Sequence, residues 1–578
     1  MMACLLLLTA EAICDSEMFF LPERNLSSSS FFPPSFSSSM ATTSPYLQMN
    51  ISNLFPLEKS GMVQSWESIS FEVMKYLVTA PPVFTPSEPP SGAFLLAAGL
   101  CARGEDAGFL DLSLEYFLRI LSDSPEGRGN PPVRRALDYL LNNRTYSPHR
   151  HRTACGILNA RLKQISAEYP GWRISLMDAV PPVAVHRPGA IRKNFLRNET
   201  PFSGFWEEYL LPKLKDWKPE TVLVSISYLS QLPAAVELTH FLRRHQYRVI
   251  AGGSLLNSIA RTGRGLQLIS EVMPEIATGD GSSFPGFSIE DSTLLRRLSW
   301  PKMMNSWKYI TGRPVIPFPL TTGCYWNRCL FCPDSGRELN VVGSDVFSDF
   351  ISTAPEELMK EEPVVHLLDS AVPEKQLGGF LPAARRAGVD FYTFARPEPW
   401  LGRMIDELAE SGCLMLQLGL ESGSKDILDR FHKGISPEVS LKILERSSKK
   451  GIRTYAYMLA GLPGETEKDY QLTLDFLQSA GDSIDFINFS IFNLPETCLL
   501  TARADDLGLE LVETGIPEDA IKLYQPFLYG GTNPRVDARR FISDLVTEIN
   551  TVSRALRRTP KWFRTSHFPL ISIPGRNN

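Results

Sequence analysis

The chain has 578 residues, of which 43% are hydrophobic and 21% are charged, so it is not disordered over most of its length. Its net charge of −5, from 59 basic and 64 acidic residues, excludes a strongly basic protein that mainly binds nucleic acid. The longest apolar run near the start, Ala3 to Ala10, is far below the ~20 residues that span a bilayer, so we expect no membrane span.

The first 70 residues are predicted to be an extension outside the folded domains. Nine serines fall within residues 27–44, interleaved with prolines, and no apolar period runs through them. The start lacks the basic region of a signal peptide and contains Glu11. Two interpretations stay open here, a flexible tail and a start codon placed too early, with Met40, Met49 or Met62 as the true start.

Residues 71–298 are predicted to form a doubly wound, Rossmann-like α/β sheet. Short apolar runs alternate with helical stretches, which is typical of parallel strands with crossover helices. An insertion at about residues 115–220 interrupts the series, and the sequence does not indicate its role. The predicted strands are Lys75–Ala80, Ala107–Leu112, Thr221–Ser227, Arg248–Gly253 and Glu275–Gly279, with helices at Ser91–Arg103, Ala234–His245 and Leu255–Gly265.

A second β/α series fills residues 299–508 after a linker at 299–314. Six strands in strict β/α order predict a partial, six-stranded parallel barrel. These strands are Val315–Leu320, Val364–Leu368, Asp390–Ala395, Leu414–Leu420, Arg453–Ala460 and Asp485–Phe492. The helices between them are Asp345–Glu361, Glu374–Ala387, Trp400–Ser411, Pro437–Lys450 and Glu467–Ala480.

Residues 509–578 are predicted to be a small, mostly helical C-terminal region centred on residues 537–556. Its basic end is either a solvated face or a contact for an acidic partner.

Three of the nine cysteines crowd into nine residues directly after the first barrel strand. Cys324, Cys329 and Cys332 therefore lie at the carboxyl end of that strand, where barrel enzymes carry their chemistry. A structural zinc site normally has four protein ligands, and no fourth ligand lies nearby in the sequence, although the distant Cys413 and Cys498 are possible. A 4Fe–4S cluster has four irons, so three thiolates would leave one iron open to a substrate or cofactor.

The segment from Thr321 to Cys332 resembles the cluster motif of the radical S-adenosylmethionine (radical SAM) superfamily, with Phe331 as the aromatic residue before the last cysteine. The interval of four residues between Cys324 and Cys329 departs from the usual three. The resemblance implies a 4Fe–4S cluster on the three cysteines and a 5′-deoxyadenosyl radical made from S-adenosylmethionine. It also implies an external electron donor, such as a flavodoxin or a ferredoxin.

Later segments resemble the family's S-adenosylmethionine-binding segments, each after the matching strand. The resemblance implies that Phe331 also lies at this cofactor, that the methionine amino end is held near Asp369 and Ser370, and that Arg396 meets the carboxylate. The ribose is expected at Glu421 and Ser422, and the Gly-Leu-Pro-Gly-Glu-Thr turn adds Gly461. Taken singly, Asp369 also fits a helix cap, Glu421 a surface carboxylate and Gly461 an ordinary turn.

The N-terminal half resembles cobalamin-binding domains that precede radical SAM barrels, at residues 77–98, 224–227 and 251–254. Small residues follow its strands at the edge where doubly wound sheets bind ligands, although glycines there also simply make tight turns. The Asp-x-His-x-x-Gly signature of some cobalamin proteins is absent, so either the cobalt has no protein histidine or the domain has lost cobalamin. The implied cobalamin contacts are Ser225, Ser227, Gly252, Gly253 and Gly279.

The resemblance implies a cobalamin-dependent methyltransferase that methylates an unactivated carbon. A cobalamin-free or non-methylating radical SAM enzyme (rearrangement or oxidation) and a non-catalytic, metal-stabilised scaffold remain alternatives. An oxygen-sensitive cluster favours a reducing cytoplasm. No motif names the substrate, whether small molecule, lipid or peptide, and we expect no nucleic-acid partner. The dispersed cysteines argue against a second cluster and hence against methylthiolation; they are Cys101, Cys155, Cys413 and Cys498.

Overall fold

Two parallel sheets organise the molecule. The computed structural model describes residues 74–559 except 123–129, 144–146, 196–198, 280–293, 514, 518 and 549. The predicted extension at 1–70 and its alternative start sites lie outside these residues. The described residues fall within one compact unit, so the division at residue 299 stays a prediction. Across the described ranges, no helix is long and apolar enough to cross a membrane.

The N-terminal half is built on a doubly wound parallel sheet, as predicted. Its strands, with a short antiparallel pair (β3 and β4) in the insertion, are β1 Tyr76–Ala80, β2 Ala107–Asp111, β3 Arg173–Ile174, β4 Ala179–Val180, β5 Thr221–Ser225, β6 Arg248–Gly252 and β7 Lys302–Met303. The sheet order is β6-β5-β1-β2-β7. Tyr76 of the central strand pairs with Ala107 on one side and Thr221 on the other.

Helices cover both faces of this sheet. Val78 points into the core that contains the helix Ser91–Ala102, whereas its neighbour Leu77 points into a second core shared with the insertion. Burial on both faces explains why these strands are continuously apolar. The helices of this half are Ser91–Ala102, Leu112–Ser122, Pro131–Asn142, Pro148–Ser166, Pro188–Asn194, Ser203–Phe205, Leu211–Trp217, Leu232–Arg244, Ser254–Thr262 and Leu266–Val272, with a π-helix at Trp206–Leu210 and 3₁₀ turns at Leu229–Gln231 and Leu294–Arg296.

The prediction of a fifth strand at residues 275–279 is wrong. Only Ile276 forms a bridge there, to Ala251, and the chain turns away at Gly279, whose φ is +96°. The fifth strand is instead β7, which lies within the predicted linker and pairs with β2 over two residues. So short a pairing leaves no apolar run in the sequence, which is why it was not predicted.

The second half contains the predicted open, six-stranded parallel sheet. Strands in this half and the C-terminal region are β8 Val315–Phe318, β9 Thr321–Thr322, β10 Asn340–Val341, β11 Val364–Leu367, β12 Asp390–Ala395, β13 Cys413–Glu421, β14 Arg453–Ala460, β15 Phe486–Ile491, β16 Leu494–Pro495, β17 Leu509–Leu511, β18 Tyr524–Gln525 and β19 Phe527–Tyr529. The barrel sheet runs β15-β14-β13-β12-β11-β8, all parallel. Its six strands confirm the predicted partial barrel.

Helices pack on the outer face of the barrel sheet, and aromatic side chains fill the inner face. Val365 points outward into the helix-packed core, and Tyr392, Tyr455 and Tyr457 share an inner cluster. The helices of this half are Ser344–Ser352, Glu356–Lys360, Glu374–Ala387, Pro399–Glu410, Lys425–Arg430, Pro437–Lys449, Glu467–Ala480, Leu499–Ala502, Pro534–Glu548 and Asn550–Arg558, with 3₁₀ turns at Gly481–Ser483 and Asp505–Leu507.

The C-terminal region differs from the prediction in its first part. Antiparallel pairs β16 with β18 and β17 with β19 precede the helices, which begin only at Pro534. Pro526 and the pair Gly530-Gly531 interrupt any helical period in this stretch, and both glycines have a positive φ. The predicted helical character therefore applies to residues 534–558.

Candidate active site

The cysteine loop (residues 321–336) begins with β9, shortly after the carboxyl end of β8 in the barrel sheet. Cys329 is buried, while Cys324 and Cys332 are half-buried. A turn formed by residues 431–434, which we call the supporting turn, holds the loop by its backbone. The amide of Leu330 donates to the carbonyl of Phe431 at 3.1 Å, and the indole Nε1 of Trp326 donates to the carbonyl of His432 at 2.7 Å.

Asn327 accommodates the four-residue interval between the first two cysteines. Its φ of +49° is left-handed, a conformation that asparagine tolerates better than most residues. Its side chain closes the loop, because Oδ1 accepts from the amide of Gly336 at 2.6 Å and Nδ2 donates to the carbonyl of Arg337 at 2.8 Å. The longer spacing is therefore built into a defined turn.

Two of the three thiols, those of Cys329 and Cys332, are in surroundings that disfavour the free thiolate. Burial raises the pKa of Cys329, against the nearby charges of Lys433 and Arg396. Burial, with the carboxylate of Asp334, raises the pKa of Cys332 to about 12. Iron bound to these sulfurs would supply the missing positive charge. Among the described residues no three His, Cys, Asp or Glu side chains are grouped around a single-ion site. Cysteine thiolates are the ligands that hold 4Fe–4S clusters, so the three cysteines of the loop have the chemistry that such a cluster requires.

Arg396 lies directly against the cysteine loop. It is only 3% exposed, and its Nη1 donates to the sulfur of Cys329 at 3.9 Å. Its Nε donates to Glu398 at 2.7 Å, and its Nη2 donates to the carbonyl of Lys433. The predicted carboxylate-binding residue therefore belongs to the surroundings of the cluster site, and its role toward methionine stays a prediction.

Glu421 ends β13 and forms a buried ion pair with Lys433 of the supporting turn. The Nζ–Oε1 distance is 2.7 Å, and the two side chains are 6% and 2% exposed. The pairing of β13 with β14 shifts between Gly419 and Glu421, and Glu421 has a left-handed φ of +63°. This irregularity turns the carboxylate toward the loop. Glu421 lies near enough to Cys329 for its charge to raise the pKa of that thiol, while its ribose contact stays a prediction.

Asp369 pins the start of the cysteine loop to β11. One carboxylate oxygen accepts from the amide of Leu320 at 2.9 Å, and the other accepts from the hydroxyl of Thr321 at 2.6 Å. Burial raises the pKa of Asp369 to about 6, against these hydrogen bonds. Ser370 is half-buried beside it. The contacts of Asp369 are those of a structural anchor, and contact of either residue with methionine stays a prediction.

Ser422 and Gly461 lie where their strands meet the following helices. The hydroxyl of Ser422 is 3.1 Å from that of Thr473 and accepts from the amide of Ser424. Gly461 has a φ of +85°, and its amide donates to Glu465 at 2.7 Å. Phe331 is half-buried, with its ring centre 6.4 Å from that of Phe431. All three predicted residues therefore border the carboxyl edge of the barrel sheet.

The predicted cobalamin residues gather at the carboxyl edge of the N-terminal sheet. The amide of Ser227 donates to Gln231, whose Nε2 donates to the carbonyl of Pro81, so this glutamine links the ends of β5 and β1. Ser225 is buried at the end of β5. Ser254, which follows β6, donates its hydroxyl to the carbonyl of Ser227.

Close packing explains the glycines of this edge. A Cβ at Gly253 would lie 2.6 Å from the backbone nitrogen of Ile226, and one at Gly252 would lie 3.1 Å from the carbonyl of Ala277. Gly279 is held through its backbone by the side chain of Asn257. The turn interpretation thus accounts for these positions without a ligand, and cobalamin contact stays a prediction.

Residues 318–477 match the family model of the radical SAM superfamily. The chain carries a radical SAM domain. The resemblance drawn from the cysteine motif is confirmed by this match, and the family uses a 4Fe–4S cluster and S-adenosylmethionine. The matched segment begins in β8 and ends within the helix Glu467–Ala480, so it includes the cysteine loop and the supporting turn.

Curated relatives match only parts of the chain. A tRNA-2-methylthio-N(6)-dimethylallyladenosine synthase of Mycobacterium sp. (strain JLS) is 29% identical over 159 residues, 26% of this chain and 30% of that protein. An uncharacterized methyltransferase of Pyrococcus horikoshii is 31% identical over 84 residues, 14% of this chain and 18% of that protein. The chain thus spans less than a third of the length of these relatives.

Two solved structures share the fold over most of the chain. The radical S-adenosylmethionine methyltransferase TsrM from Kitasatospora setae aligns with a TM-score of 0.51 at 14% identity, covering 86% of this chain and 97% of that one. The cobalamin-dependent S-adenosylmethionine radical enzyme OxsB aligns with a TM-score of 0.50 at 11% identity, covering 81% and 66%. The likeness extends beyond the radical SAM domain into the N-terminal half.

The sequence did not indicate the supporting turn or its cation, Lys433. In the structure this turn follows the short helix Lys425–Arg430, with a left-handed φ at His432 and Gly434, and only packing brings it to the cysteines. Glu88 was also missed. It follows β1, yet its carboxylate lies 2.9 Å from His366 Nδ1 and accepts from the hydroxyl of Tyr392, on the inner face of the radical SAM barrel.

Proposed function

We propose that this protein is a radical SAM enzyme that holds a 4Fe–4S cluster through Cys324, Cys329 and Cys332. The observation that carries the proposal is the cysteine loop, which lies at the carboxyl edge of the barrel sheet and is bordered by the buried cations Arg396 and Lys433. An anionic cluster and the carboxylate of a bound amino acid both require such charge compensation.

When bound, the cluster and S-adenosylmethionine would supply a 5′-deoxyadenosyl radical. The chain's own residues would orient and shield that cofactor. Glu421 would accept from the ribose hydroxyls, while Ser370 and Arg396 would hold the methionine end. Leu330 and its buried apolar neighbours would keep water from the loop.

We propose further that the N-terminal sheet binds cobalamin and that the enzyme methylates an unactivated carbon. Helix Ser254–Thr262 begins directly after Gly253 and reaches the cysteine loop, where Arg261 donates to the carbonyl of Pro333 at 2.7 Å. The helix that starts at the edge predicted for cobalamin thus contacts the cysteine loop through its other end, which supports the proposal. No histidine follows β1, so we expect cobalt without a protein histidine ligand.

The class of enzyme is tested by anaerobic reconstitution with iron and sulfide, followed by reductant and S-adenosylmethionine. We expect release of 5′-deoxyadenosine from the wild-type protein and none from Cys329→Ala. Cys413→Ala is the matched control, since Cys413 is buried in the same barrel but donates only to the carbonyl of Met415. Zinc in the purified site, or equal activity of Cys329→Ala, would contradict the proposal.

Methyl transfer is tested separately by loading the reconstituted protein with hydroxocobalamin. Retention of cobalamin, seen in the absorbance spectrum after gel filtration, is expected. Release of S-adenosylhomocysteine together with 5′-deoxyadenosine in the presence of substrate would support methylation. 5′-Deoxyadenosine alone, without bound cobalamin, would favour the cobalamin-free alternative. The electron donor that we propose is a flavodoxin or ferredoxin.

Methylthiolation, which the name of one relative suggests, lacks support from the cysteines. In the described part of the chain, the cysteines outside the loop are dispersed: Cys101 and Cys155 lie in two helices of the N-terminal half, Cys413 begins β13, and Cys498 precedes the helix Leu499–Ala502. Cys155 lies in the core shared with the insertion, and Cys498 packs beside the C-terminal strands. They do not form a ligand set for a second cluster.

A further inference from the structure

We infer that Trp326 is a positioning residue that fixes the Arg396 guanidinium against the sulfur of Cys329, so that this pair raises the reduction potential of the cluster. The inference rests on the proposed function, because it requires a 4Fe–4S cluster at the cysteine loop. It assigns a role to Trp326, which lies in the interval between Cys324 and Cys329, where the family motif specifies no side chain.

The indole of Trp326 is a platform for Arg396. The guanidinium carbon lies 4.4 Å from the ring centre, and that of Arg328 lies 5.4 Å from it. Stacking of a guanidinium on an indole is favourable and orients the planar cation. The ring itself is fixed by the hydrogen bond from its Nε1 to the carbonyl of His432.

The supporting turn is shaped to receive this ring. A Cβ at Gly434 would overlap the six-membered ring of Trp326. Gly434 also has a left-handed φ of +68°, which only glycine adopts without strain. The indole therefore fits here only because residue 434 has no side chain, and the position of the indole determines where Arg396 stacks.

Arg396 has one donor aimed at the cluster ligand. Nε of Arg396 donates to Glu398 and Nη2 donates to the carbonyl of Lys433, so the guanidinium cannot rotate freely. Its remaining nitrogen, Nη1, lies 3.9 Å from the Cys329 sulfur. Reduction adds one negative charge to a cluster and its thiolates. A cation and an N–H donor at a ligand sulfur stabilise that extra charge, which raises the reduction potential.

The test is the midpoint potential of the anaerobically reconstituted cluster, followed by electron paramagnetic resonance without S-adenosylmethionine. Omitting the cofactor separates this role from the predicted contact of Arg396 with the methionine carboxylate. Trp326→Leu removes the platform, whereas Trp326→Phe keeps an aromatic face. We expect Trp326→Leu to disfavour the reduced cluster about tenfold, which is about 59 mV for one electron, with Trp326→Phe closer to wild type.

Gly434→Ala should lower the potential in the same direction by displacing the ring. Its matched control is Gly388→Ala, since Gly388 has a similar φ of +63° but no atom within 4 Å of an added Cβ. Both changes impose left-handed strain, and only the first meets Trp326. Iron content, measured for each variant, shows that a full cluster is present. If Gly434→Ala does not assemble a cluster, Trp326→Leu against Trp326→Phe decides the question.

The outcomes separate the inference from the proposed function. Failure of the wild-type protein to form a 4Fe–4S cluster would overturn the proposed function and the inference with it. A normal cluster whose potential is the same in wild type and Trp326→Leu would overturn the inference alone. A lowered potential in Trp326→Leu, with wild-type values in Trp326→Phe and Gly388→Ala, would support it.

Discussion

Replacing Lys433 by methionine is expected to destabilise the barrel at the end of β13, because it leaves the carboxylate of Glu421 buried without a partner. The two charged atoms are 2.7 Å apart and their side chains are 2% and 6% exposed. At an effective dielectric constant of about 20, their attraction is about 6 kcal/mol. Desolvation of two buried ions costs several kcal/mol each, so the net contribution of the intact pair is small.

Removing one partner is different, because the desolvation cost of the other remains. We expect Lys433→Met to lower the local unfolding free energy by about 3–5 kcal/mol. The double variant Lys433→Met with Glu421→Leu should recover most of this loss, since it leaves no buried charge. In the single variant the orphaned carboxyl is expected to take up a proton on folding, so its stability should rise as pH falls.

The measurement is hydrogen–deuterium exchange of the peptide that covers β13, at two pH values, because a chain of this size need not unfold in one step. The amide of Leu330, which donates to the carbonyl of Phe431, gives a second local readout on the cysteine loop. Equal loss of protection in the single and double variants, with no effect of pH, would refute the argument.

Two further predictions concern the ends of the barrel strands. Gly423→Ala should lower the free energy of unfolding by about 1–3 kcal/mol, since its Cβ would lie 2.5 Å from the carbonyl oxygen of Leu472. The control is Gly402→Ala, whose added Cβ meets its nearest atom at 3.5 Å and should leave the stability unchanged. Thermal unfolding measures both variants. Burial raises the pKa of Glu465 to about 7, against a hydrogen bond from the amide of Gly461, so the folded chain holds this proton to higher pH than the unfolded chain. The stabilisation that comes from this bound proton is fully present below pH 4.5 and is lost as pH rises through about 7. Glu465→Gln should remove that part of the pH dependence of unfolding. An unchanged pH profile in Glu465→Gln would contradict this assignment.

Local sequence patterns were sufficient to predict most of the helices and strands. The period of apolar residues predicted the strand Asp390–Ala395 and the helices Glu374–Ala387 and Glu467–Ala480 with the bounds that the structure has. The predictions failed where pairing is short or isolated, as at β7 and the single bridge of Ile276. A two-residue strand buries too little apolar surface to leave a period in the sequence.

By itself, the sequence determined the two β/α series, their order and the cysteine loop after the first barrel strand. These follow from residue periodicity and spacing, which act over a few neighbouring residues. Only the tertiary structure decided that Lys433, about a hundred positions away, lies beside Cys329, and that Glu88 of the N-terminal half reaches His366 inside the barrel. Such contacts depend on how whole helices and sheets pack, and packing joins residues whose separation along the chain carries no local signal.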